Sequence, residues 1–109
     1  MPEKAREITR MNAIQEKIGL LHSVALDDAG LDRMLGKLLH VVHGQHREKI
    51  AHFDRLLEQF ETQYHMDSTE FRRRFEAGEL GDGMDFIEWS SLVEMREMVQ
   101  RKLEQLEAY

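Results

Sequence analysis

The chain has 109 residues, 41% hydrophobic and 33% charged, with no cysteine and a single proline, Pro2. This is the composition of one ordered domain; it excludes disulfides, thiolate metal sites, a cysteine nucleophile and any architecture pairing a cofactor domain with a catalytic one. Net charge is −6, and the acidity is C-terminal: residues 67–109 carry six Lys/Arg against eleven Asp/Glu, while residues 1–66 are near balance.

Aromatics make up only 7% of the chain, and Leu, Glu, Arg, Gln, Met and Ala dominate over β-branched types, so an all-α protein is expected. A first helix is read over about 3–26, with Ile8, Met11, Ile14, Ile18, Leu21 and Ala25 on one stripe. Asp27 and Asp28 then supply capping acids, and Gly30 a residue suited to a left-handed helix end. The apolar stripe resumes at Leu31 and repeats every third or fourth residue through Leu35, Leu39, Val42, His46, Ile50, Phe53, Leu57, Phe60 and Tyr64, which predicts a second helix over 31–64. The first helix can cover the first half of the second, forming a long antiparallel hairpin.

After His65 and Met66, Asp67 stands three residues before Glu70 at capping-box spacing, with Ser68 as an alternative cap, and a short helix over 69–77 ends at Gly78. Three glycines within residues 78–83 make the stretch 78–84 an acidic, glycine-rich loop. A last helix over about 85–107, capped by Asp85, places Phe86, Trp89, Leu92, Val93, Val99, Leu103 and Leu106 on its buried side. The whole is read as a single helical domain, residues 1–109. Its thin pairs of helices would leave much of each stripe facing water, so completion of the bundle as a homodimer is expected.

No apolar run approaches a membrane span, and the N-terminus is charged where a signal peptide would have its apolar core; a cytoplasmic chain with no membrane partner is the expectation. His40, His43 and His46, three apart, drift around the helix and cannot all chelate one ion, so no metal site and no cofactor are assigned, beyond adventitious binding in a dimer. None of the serines lies in a nucleophile elbow, and no phosphate loop is present; no catalytic residues are assigned and the chain is read as a non-enzyme. Arg72, Arg73 and Arg74 spread over three faces of a short helix, a collar unsuited to reading a groove, so direct nucleic-acid binding is disfavoured. Met95 and Met98, with Trp89, are candidates to line a partner groove.

The most informative stretch lies between Phe75 and Met95, where six acids occur and no base. Phe71, Phe75 and Phe86, with Gly78 and Gly81, are read as a folded corner. Glu79, Asp82, Asp85 and Glu88, together with Trp89, are read as a surface for a basic partner.

From about Leu56 to Leu106 the chain resembles a group of small prokaryotic helical proteins. The resemblance is carried by Leu57-Glu58-Gln59-Phe60-Glu61, by Tyr64-His65-Met66-Asp67-Ser68-Thr69-Glu70-Phe71, by Phe75 through Asp82, and by Asp85-Phe86-Ile87-Glu88-Trp89. Such proteins are read as antitoxin-like components of two-gene toxin–antitoxin modules, beside a small toxin taken to be a ribonuclease. Members of the group often have Gly where this chain has His65. The resemblance implies an antitoxin-like interaction module that neutralises a small basic toxin; the alternative is a structural or adaptor helical dimer with no toxin partner.

Overall fold

The computed structural model describes residues 3–109; the side chains of residues 3–5 and of Ile8, the first member of the α1 stripe, lie outside the described residues, as do the first two residues of the charged N-terminus. Four helices occur in the order α1 (Glu3–Val24), α2 (Asp28–Tyr64), α3 (Ser68–Glu76) and α4 (Met84–Ala108), with no strand among the described residues, so the protein is all-α. The chain divides into two compact units, the first ending at His40 and the second running from Val41 to Tyr109.

In the first unit, α1 runs out where Ala25 and Leu26 both donate backbone N–H bonds to the Leu21 carbonyl. Asp27 then caps α2: its carboxylate accepts from Gly30 N at 2.7 Å and its carbonyl from Leu31 N at 2.9 Å. This corrects the reading of Gly30 as a helix end, for the cap draws Asp28 through Gly30 into the first turn of α2. Asp28 also pairs with His22 from the last turn of α1. The apolar rows of this unit stay open to solvent, with Met11 at 58%, Ile14 at 56% and Leu21 at 42% exposure. Leu35 and Leu39 of the α2 stripe also remain exposed, as expected of a thin pair of helices that leaves much of each stripe facing water.

In the second unit α2 and α4 form the hairpin-like pair. Three polar contacts set the register: His43 to Glu107 at 3.1 Å, Asp54 to Arg96 at 2.5 Å, and Tyr64 to Asp85 at 2.5 Å. Residue numbers fall along α4 as they rise along α2, so the helices are antiparallel. Between them Leu57 and Leu92 are buried, and Leu103 is buried further along α4. Helix α3 closes the end of the pair by inserting Phe71, which is 1% exposed. Phe53, Leu56, Phe60, Tyr64, Phe75 and Phe86 pack around this core.

Candidate functional site

The corner where α3 meets α4 is built from local capping outward. Asp67, in extended backbone, accepts from Glu70 N at 2.7 Å, and Glu61 of α2 accepts from Ser68 N at 2.7 Å. Two of the orphan N–H groups of α3 are thereby satisfied, one of them by a neighbouring helix. The turn before it places His65 at φ 54°, the left-handed region that favours glycine. The far end of α3 closes in a Schellman motif: Gly78 stands at φ 75°, its N–H bonds to Phe75 O at 3.1 Å, and Glu79 N bonds to Arg74 O at 3.0 Å. Gly81, at φ 76°, supplies the second left-handed turn.

These turns fold α3 back so that Phe71 stacks face to face on Trp89, with ring centroids 4.0 Å apart and planes within 4°. Phe75 and Phe86 lie 5.4 and 5.9 Å from Phe71, and Phe60 of α2 stacks on Trp89 at 5.5 Å. Trp89 is fully buried, and its indole N–H donates to Ser68 Oγ at 3.0 Å. The place of Trp89 among the partner-facing residues, and its place in a groove with Met95 and Met98, are therefore corrected: the large apolar ring is consumed by the core, and the two methionines remain exposed without it. Periodicity put Trp89 on the buried side of its helix, and that is the side on which it lies.

The four acids divide into two pairs. Asp85 is not the cap of α4; that position is Gly83, whose carbonyl accepts from Phe86 N and Ile87 N at 3.0 Å. From the first turn of the helix Asp85 looks across at α2, where it accepts the Tyr64 hydroxyl at 2.5 Å, with Gln63 at 3.5 Å. This bond, reinforced by burial and by the carboxylate charge, raises the Tyr64 pKa above the ordinary phenol value. Glu79 is drawn to Arg74, 3.7 Å away. Asp82 and Glu88 are exposed and make no hydrogen bond or ion pair among the described residues. The side chains of Met84 and Ile87, 81% and 46% exposed, stand in the same stretch.

The arginines of α3 all stand beside carboxylates of the chain. Arg72 bonds Glu76 at 3.0 Å and also Glu97 of α4; Arg73 bonds Glu70 at 2.8 Å; Arg74 lies 3.4 Å from Glu70. The Arg73 bond outweighs burial and holds the Glu70 carboxyl below its ordinary value. Two of the histidine triplet serve separate contacts: the His43 ring reaches Glu107, and the His46 ring donates to the Val42 carbonyl at 2.9 Å. Sequence reasoning missed Ser68 as the indole acceptor, Glu61 as the second cap and Tyr64 as the partner of Asp85, since each joins residues of different elements. The chain matches no protein-family model, no curated protein and no solved structure. No helix among the described residues is long and apolar enough to cross a membrane.

Proposed function

We propose that the chain is a protein–protein interaction module of the antitoxin-like kind, which binds and neutralises a small basic protein through its acidic corner. The observation that carries this reading is the pair Asp82 and Glu88, exposed and unpaired beside a corner in which Asp85 and Glu79 already have partners. Carboxylates without internal partners break no contact within the chain when a partner's cations take them up, and they steer such a partner from solution. The partner class, a toxin acting on RNA with a basic active site, comes from the resemblance; occlusion and charge mimicry are the means by which an acidic corner would inhibit it. No chemical step is assigned to the chain, and cytoplasmic residence belongs to this reading.

The test is affinity capture of a small basic protein by the tagged chain from its host, at one-to-one stoichiometry, with relief of that protein's toxicity on co-expression. Asp82→Lys with Glu88→Lys should abolish capture and relief while leaving helical circular dichroism intact. Retained binding by this variant overturns the reading.

A second reading, a structural or adaptor dimer with no toxin partner, is favoured by one observation: the open apolar side chains of the first unit, among them Met11, Ile14, Leu21 and Leu38. Single, scattered apolar side chains are ordinary on surfaces, but rows of them at helical spacing are covered in most proteins. Sedimentation equilibrium separates the readings: self-association that Leu38→Glu disrupts, without capture of a basic protein, supports the adaptor.

A further inference from the structure

Helix α4 has two apolar faces, and among the described residues one of them is covered. Trp89, Leu92 and Leu103 lie on the buried face. On the far side Met84, Ile87, Met95 and Met98 are 81%, 46%, 42% and 51% exposed, and exposed Ser91 sits midway between them. At 100° per residue these five positions fall within a quarter turn of one another, so they make one row about 21 Å long. The intervals of three and four residues are those of a helix that packs against another helix along its length. Methionine, unbranched and polarizable, is the side chain best suited to adapt to a partner surface.

The charges beside the row decide what fits it. Glu88 and Glu94 border it and Asp82 precedes it in the loop, all exposed and none paired among the described residues, while the base on the same face, Lys102, comes only one turn past its end. The base within this stretch, Arg96, is turned to the other face and held by Asp54. A second copy of the chain would bring the same three carboxylates into the seam, whereas a helix with lysines or arginines beside its apolar stripe would neutralise them.

We propose that the outer face of α4 is the docking surface for an amphipathic helix with basic flanks, carried by the partner. This rests on the reading of the corner as a site for a basic protein, and it names the element of that protein which is bound. The row places the contact on a rigid helix of the second unit, with Met84 and Ile87 next to the acidic corner and Met95 and Met98 extending the contact away from it.

The probe is a labelled synthetic peptide of about 18 residues, long enough to form a helix on a surface, with leucines at helical spacing and lysines elsewhere. Its control has the same composition with the leucines distributed around the helix. Anisotropy titrations with the full chain in roughly 0.15 M salt should show saturable one-to-one binding of the first peptide and binding about tenfold weaker of the second. Met95→Ser with Met98→Ser should weaken the first peptide about tenfold, and Asp82→Asn with Glu88→Gln should weaken it by an amount that shrinks as salt is raised. Both pairs of residues are exposed, so unchanged circular dichroism and Trp89 emission establish that the variants fold.

Equal binding of the two peptides overturns the proposal, as does indifference to the methionine substitutions. Self-association of the chain that the methionine substitutions abolish also overturns it, since the face would then belong to a second copy. Should Asp82→Lys with Glu88→Lys lose the host partner while the methionine variant keeps it and the peptide, the corner reading stands and this one falls.

Discussion

Replacing Phe71 by alanine tests whether the aromatic corner is what joins α3 to the α2–α4 pair. Phe71 is 1% exposed and stacks on Trp89 at 4.0 Å, so alanine removes a whole buried ring. Buried Phe→Ala changes cost about 3–5 kcal/mol, which includes the lost transfer energy, the cavity and the ring contacts. Little collapse is open to the site, since Trp89 is held on its other side by Phe60 and at its indole nitrogen by Ser68; about 4 kcal/mol is therefore expected. That is a large part of the roughly 5–15 kcal/mol that stabilises a domain of this size, and corresponds to a fall of roughly 20 °C in Tm. Urea denaturation followed by Trp89 emission and by circular dichroism measures it, because the fluorophore is retained. Phe75, half-buried on the same helix, supplies the comparison and should cost about 1–2 kcal/mol on replacement by alanine. A Phe71→Ala cost below about 1 kcal/mol, or one equal to that of Phe75→Ala, would refute the assignment of Phe71 as the core residue of α3.

Ser68→Ala should destabilise by about 1–2 kcal/mol, because it strands a buried indole N–H, and a shift of Trp89 emission would report the change directly. His65→Gly should raise stability by about 0.5–1 kcal/mol, since glycine takes the positive φ without steric cost; an unchanged or lower urea midpoint would show that the His65 side chain compensates. Stability should also depend on pH at both ends. Glu70, with its pKa lowered by Arg73, contributes above the ordinary carboxyl range and loses that contribution as pH falls through its lowered folded value. Tyr64, with its pKa raised by Asp85, contributes below about pH 10 and loses that contribution as pH rises through its raised folded value, so Tyr64→Phe should flatten the alkaline limb of the urea midpoint against pH.

The helices were legible in the amino-acid order, because 3.6-residue periodicity and capping chemistry are local. Asp67 capping α3, Gly78 ending it and the inward side of α4 at Trp89, Leu92 and Leu103 all follow from residues within a turn or two of each other. Local chemistry also misleads where two local solutions compete: Gly30 suits a helix end, yet the Asp27 carboxylate captures its N–H and makes it helical. Which polar groups meet and which remain free depends on how the helices pack. Four carboxylates crowd residues 79–88, but Tyr64 takes Asp85 and Arg74 draws Glu79, which leaves Asp82 and Glu88 to face solvent. The partners come from α2 and α3, and no spacing along α4 encodes them. The same holds for Trp89, whose burial was legible from periodicity while its stack with Phe71 and its bond to Ser68 depend on the angle at which a two-turn helix folds back. That angle is set jointly by His65, Gly78 and the Glu61 cap, whose residues are joined by contacts between helices and not by sequence spacing.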